Sequence, residues 1–357
     1  MSDSCESRHD LRQRNDDELL FKKATLALGG GVRLPEGYQL PVRVSRSTAG
    51  PGAGNNAVAF AFHGLRVKKG VSYDKGEFEL HDIDGILSLT RNGEPFIDEV
   101  TIEPVVYHCP GQAFFTLDPR CGYSCAFCAS PRLPSSDFKG LSVETIADRC
   151  EQAYREGRIT AVSLTSGVYE KDIDAEISNL AECIREVRRR LPDIPIGVEP
   201  YASTEDHIRA LREAGADEIK LNVQAATDDI FRRVCPDLDR DRILEMLSHA
   251  VRIFGRGRVT SNIIFGMGET KEELASCMEH LCDMGVLPTV RSLRYNAYNR
   301  ESLEEAIVHP QTVSPEYMLE IARLHKDILR RHGFDTRECR TMCLECGCCD
   351  LVPGRDV

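Results

Sequence analysis

Between residues 112 and 332 the chain repeats one rhythm six times, a short apolar run followed by an amphipathic stretch of helical period. The runs fall at 113–117, 160–165, 196–199, 218–223, 259–265 and 289–295. The helical stretches fall at 143–155, 173–191, 204–214, 228–233 with 240–254, 271–284 and 315–332. Short apolar runs suit strands covered on both faces, and helices between them let neighbouring strands run parallel. Ser142, Thr204, Thr270 and Ser314 stand where helix N-caps are needed. Six such units predict an α/β fold, a parallel sheet curled into a partial (β/α)6 barrel of TIM type. In that architecture ligands gather at the C-terminal ends of the strands.

The flanks read differently. Residues 1–110 form an expected N-terminal extension, 111–332 the partial barrel and 333–357 a Cys-rich tail. In the extension, a helix over 16–28 is stopped by Gly29-Gly30-Gly31, and 58–62, 78–80 and 86–89 read as short strands. The Gly-rich loop at 45–54 has amides able to cradle an anion, or is a surface turn. No apolar stretch reaches the ~18–20 residues of a membrane span. The polar first seventeen residues lack the apolar core of a secretory signal. A cytoplasmic protein without membrane contact is expected. The net charge of -12 argues against general affinity for nucleic acid.

Fifteen cysteines are unusual for a chain read this way, because a reducing compartment keeps thiols free for metal or redox chemistry. Seven are scattered: Cys5, Cys109, Cys150, Cys183, Cys235, Cys277 and Cys282. They read mainly as small hydrophobes. The other eight fall in two groups. Cys121, Cys125 and Cys128 lie just past the first strand, in the stretch Cys-Gly-Tyr-Ser-Cys-Ala-Phe-Cys. Three thiolates on one loop can hold three irons of a cubane cluster and leave the fourth open. A zinc site is the alternative, with Cys109 or His108 as its fourth ligand.

The C-x3-C-x2-C spacing, with Phe127 before the last Cys, resembles the radical S-adenosylmethionine (SAM) superfamily. The resemblance implies a 4Fe–4S cluster on Cys121, Cys125 and Cys128 whose open iron chelates SAM. It further implies reductive cleavage to a 5′-deoxyadenosyl radical that takes hydrogen from an unactivated carbon, with ferredoxin or flavodoxin as electron donor. Positions resembling the family's SAM contacts are Phe127, Thr165-Ser166-Gly167, Glu199, Asn222, Arg232 or Arg233, and Gly266, Gly268 and Glu269 in a G-x-G-E-T segment. That segment resembles the biotin synthase and lipoyl synthase branch.

The second group packs Cys339, Cys343, Cys346, Cys348 and Cys349 into eleven residues. Its first three repeat the C-x3-C-x2-C spacing. Such a density of soft ligands suggests a second iron–sulfur cluster, a zinc site or a thiol relay. Extra cysteines at the C-terminal side, without an Arg-Ser-Ser segment, resemble the archaeal-type two-protein lipoyl synthase more than the bacterial enzyme. The resemblance implies sulfur insertion into the octanoyl chain of a carrier protein, with the tail cluster as sulfur source and a second radical SAM subunit as partner. The alternatives are a radical SAM methyltransferase or peptide-modifying maturase acting on another acyl or peptide substrate, and a non-catalytic zinc or iron–sulfur scaffold.

Overall fold

The computed structural model describes residues 8–45, 56–133 and 140–357, so the loop read at 45–54 lies, beyond Ser45, outside the described residues. Helix α1 (Arg8–Leu28) is followed by six short strands. They are β1 (Val32–Arg33), β2 (Ala57–Phe62), β3 (Leu65–Ser72), β4 (Phe78–Ile83), β5 (Ile86–Arg91) and β6 (Glu94–Glu103). β1 pairs in parallel with both β3 and β4, which closes the set into a small barrel of order β1-β3-β2-β6-β5-β4. The sequence pattern shows only part of this barrel. β3 reads as polar because Arg66, Lys68 and Lys69 interrupt its apolar residues, yet both lysines are buried.

The second sheet is the expected half-barrel. It runs β7 (Gly111–Thr116), α2 (Val143–Arg155), β8 (Ile159–Thr165), α3 (Ile173–Arg190), β9 (Ile196–Glu199), α4 (Glu205–Ala214), β10 (Glu218–Lys220), α5 (Asp228–Val234) and α6 (Arg240–Phe254). Then follow β11 (Val259–Phe265), α7 (Lys271–Asp283), β12 (Leu287–Ser292), α8 (Arg300–Ala306) and α9 (Pro315–Arg331). All neighbours pair in parallel, in sequential order from β7 to β12. Ser142, Thr204, Thr270 and Ser314 each accept the amide three residues on, and Thr270 exchanges bonds with Glu273 in a capping box. The strand expected over 218–223 ends at Lys220, because the Asn222 side chain, rather than a backbone carbonyl, accepts the Asn262 amide.

Side chains alternate across a strand, so one face of the sheet can be followed two residues at a time. On the inner face stand Gln112, Ser163, Gly197, Glu218, Lys220 and Arg291. That face is polar, where barrel interiors usually hold branched apolar residues. The space is filled by the tail, including the short helix α10 (Met342–Cys346). Glu218 accepts the amides of Arg340 and Thr341 and the Thr341 hydroxyl. Gln112 clamps Met342 at both ends, accepting its amide at 2.7 Å and donating to its carbonyl at 3.0 Å. Gly197 leaves room for the crossing, since a Cβ there would collide with Thr341 Oγ1. Asp350 then accepts from the amide and hydroxyl of Ser292, at the end of β12. The segment from 339 to 350 is therefore an internal strut, and Lys68 of β3 donates its amide to Cys348 from the small barrel.

Candidate active site

The loop after β7 carries Cys121, Cys125 and Cys128, all half-buried. Its main chain is tied from several sides, and the three thiols lie within electrostatic reach of one another. Gly122 N donates to Val168 O and Gly167 N to Asp118 O, stitching the loop to the turn after β8. Ser124 donates both its amide and its hydroxyl to Asp237, which also pairs with Lys171. Arg132 donates to the carbonyls of Cys125 and Cys128 at 2.9 and 2.8 Å. From α8, Asn299 donates to Phe127 O and Ser302 to Ala126 O. These supports escaped sequence reading because a carbonyl's partner leaves no local signature. Burial pushes the Cys128 thiol up to about 11, and it raises Cys121 as well. Cys125 moves down because the buried Cys235 thiol hydrogen-bonds to it. Cys109 and His108 lie near the tail thiols, which removes the fourth ligand a zinc reading of this loop would use.

The expected SAM positions separate into two sets. One set meets at the strand ends. Thr165 donates its hydroxyl to Glu199 O, Asn222 Nδ2 donates to Glu199 Oε1 at 2.6 Å, and Lys220 Nζ lies 3.4 Å from the same carboxylate. Ser166 bonds Asp118, at the base of the cysteine loop. Arg233 pairs with Asp229 through Nη1, but its Nε is buried without a partner. Arg232 is exposed and donates to Asp228 O. The other set is spent on its own turn. The buried Glu269 carboxylate accepts the amides of Gly266 and Met267. Gly266 and Gly268 hold φ of 98° and 104°, and a Cβ on either would press on Val313 or His309. These three residues shape the loop after β11, and Gly167 likewise packs onto the Arg120 carbonyl.

The tail thiols lie deeper. Cys343 Sγ is 3.2 Å from Lys220 Nζ. Burial works against the Lys220 charge, but Cys343 and Glu199 outweigh it and raise the pKa. Lys220 thus touches the tail on one side and the strand-end cluster on the other. Asn222 is two residues further along, a step of about 7 Å in extended chain. Cys346 and Cys348 share an apolar cluster with Cys109, Phe114 and Met342. Cys339 sits apart, beside Glu218, Arg355 and Arg258, so the repeated spacing does not bring Cys339, Cys343 and Cys346 together as a trio. Among the described residues no group of three His, Cys, Asp or Glu side chains is arranged to hold a single metal ion. A cubane differs in taking each thiolate on a separate iron. Beside the ends of β3 and β12 lies a cavity of about 920 Å³, lined among others by Gly29, Gly31, Lys69, Glu77 and Arg294.

Residues 116–281, which span the cysteine loop and the strands through β11, match the family model for the radical SAM superfamily. This stretch carries a radical SAM domain. It is similar to lipoyl synthase of Histophilus somni (strain 2336), 27% identical over 208 residues, 56% of this chain and 62% of the relative. Lipoyl synthase of Pyrobaculum aerophilum is 27% identical over 220 residues, 59% of this chain and 72% of the relative. The chain therefore spans less than two thirds of the Histophilus protein. Among solved structures, the FeFe-hydrogenase maturase HydG from Carboxydothermus hydrogenoformans aligns with a TM-score of 0.51 at 19% identity, covering 61% of this chain and 51% of the other. Methylornithine synthase aligns at 0.50 and 15% identity, covering 68% and 71%. At these identities the likeness is one of fold.

A radical SAM domain implies a 4Fe–4S cluster and SAM. The residues fit both. Three half-buried thiols lie within electrostatic reach of one another on a loop secured through its backbone, and the unpartnered Nε of Arg233 leaves a buried donor for an anionic group. Among the described residues no helix is long and apolar enough to cross a membrane.

Proposed function

We propose that this radical SAM enzyme is of the lipoyl synthase branch and inserts sulfur at an unactivated carbon of a protein-bound octanoyl chain. The observation that carries this reading is a second set of thiols inside the same half-barrel, joined to the strand ends through Lys220 and Glu199. The names of the curated relatives support it. Cys121, Cys125 and Cys128 would hold the cluster, which with SAM supplies one-electron cleavage of a sulfonium bond. Glu199, Asn222 and Arg233 would orient SAM above the strands, and Arg132, Asn299 and Ser302 fix the loop through its carbonyls. The tail cysteines would hold a second cluster able to supply sulfide. In this reading residues 1–110, 111–332 and 333–357 act as cover, radical SAM half-barrel and sulfur-bearing strut. The partners are an octanoylated carrier protein, a ferredoxin or flavodoxin and a second radical SAM subunit, in the cytoplasm.

The test is anaerobic. Reconstituted full-length protein is incubated with SAM, dithionite and an octanoylated lipoyl-carrier domain, and the carrier is weighed by mass spectrometry. Uptake of one or two sulfur atoms, with formation of 5′-deoxyadenosine, is expected. Cleavage of SAM without sulfur uptake, with or without the second subunit, would overturn sulfur insertion and favour a methyltransferase or peptide maturase.

A further inference from the structure

We infer that Cys109 is a ligand of the second metal cluster, joining Cys346 and Cys348, and that Cys339 is not one. The inference rests on the reading of the tail as a cluster site and changes which cysteines form it. Cys109 is fully buried in the connection between β6 and β7. Its thiol and that of Cys348 both hydrogen-bond to Cys346, and the three share one apolar cluster with Phe114 and Met342.

Two features place Cys109 there independently of the thiols. It forms an isolated bridge with Gln112, and Gln112 is the residue that clamps both ends of Met342. One side chain therefore fixes the connection before β7 and the start of α10 against each other.

Charge gives a second line of argument. Three cations surround the thiols, each from a different strand. Lys68 of β3 is 1% exposed and faces Cys109, Cys346, Cys348 and Cys349. Lys220 of β10 touches Cys343, and Arg291 of β12 faces Cys343, Cys346 and Cys349. Lys68 also meets His108, Lys220 meets Glu199, and Arg291 shares Asp350 with Arg294. Buried thiolates need a cation or a metal beside them, and these side chains stand where iron-bound thiolates would be stabilised. Cys339 lies among a different set of charges, Glu218 and Glu338 together with Arg355 and Arg258.

The test uses the full chain with Cys121, Cys125 and Cys128 replaced by Ala, reconstituted anaerobically with ferrous iron and sulfide. Iron and sulfide are counted, and the dithionite-reduced protein is examined by electron paramagnetic resonance. The background protein should keep roughly 4 irons. Adding Cys109→Ala or Cys109→Ser should remove more than half of that iron or change the resonance spectrum, while the thermal melt of the metal-free protein stays within a few degrees. Adding Cys339→Ala should change neither iron nor spectrum. No iron in the background protein, or zinc in its place, would sink the second-cluster reading and this inference with it. Unchanged iron and spectrum in both Cys109 variants would overturn the inference alone, as would loss of iron in a folded Cys339→Ala.

Discussion

The cysteines at the barrel mouth and those inside the sheet are held in opposite ways. Cys121, Cys125 and Cys128 stand on a loop above the strand ends, and its supports grip backbone carbonyls and amides from behind. The thiols stay half-exposed, as a centre that must meet a soluble cofactor requires. The tail cysteines sit between strands, and their supports are charged side chains rising from the sheet itself. A mouth group can be built from one short motif. An interior group needs complementary residues from β3, β10 and β12, elements far apart in the chain.

The largest expected effect breaks the mouth alone. Cys125→Ala should drop reductive SAM cleavage to background, measured as 5′-deoxyadenosine, while the buried tail thiols stay protected from alkylation. Next comes the interior. Glu218 is 1% exposed and holds two amides, the Thr341 hydroxyl and Arg258. Glu218→Ala strands all four, and a cost of about 3–5 kcal/mol is expected in denaturant unfolding. Cys346 and Cys348 should then alkylate under native conditions, and a protein whose tail stays protected would show that the strut is not anchored there.

A somewhat smaller effect comes with acid. His325 of α9 is buried against β12 and the tail and bonds the Pro288 carbonyl. Burial lowers its pKa from 6.5 to about 4. Between those values the unfolded chain binds a proton that the folded one does not, so stability falls as pH drops through that window. The full gap is worth about 3 kcal/mol, and thermal melts of wild type and His325→Gln across pH 4–7 should diverge by that order. The smallest effect returns to the mouth. Ser302→Ala removes one of the loop's carbonyl supports and should lower SAM cleavage by roughly 10-fold, the low end for an outer-shell partner of a metal site, with the thermal melt unaffected.

Much of this comparison was legible in the chain itself. The six βα units, their caps and the mouth cysteines each carry a local signal, a period, a cap residue or a spacing. The interior group carries none. Lys68 and Lys69 made β3 look like surface, although Lys68 is the charge that faces the tail. No local pattern shows that Cys109 lies beside Cys346, or that Cys339, whose spacing copies the mouth motif, lies beside Glu218. Asn299 precedes and Ser302 lies in α8, a two-turn helix too short for a periodic signal. Long-range charge pairing is invisible to windows of ten or twenty residues.

The strut has a consequence for how the protein comes to be. The bonds from Gln112 to Met342 and from Lys23 to Asp356 join positions 230 and 333 residues apart. Contacts of that separation form late and slow the search for the native state. During synthesis the half-barrel emerges with its polar inner face still empty, and the segment 339–350 follows it. The interior of the sheet is therefore sealed late, by a part of the chain made after every strand it touches.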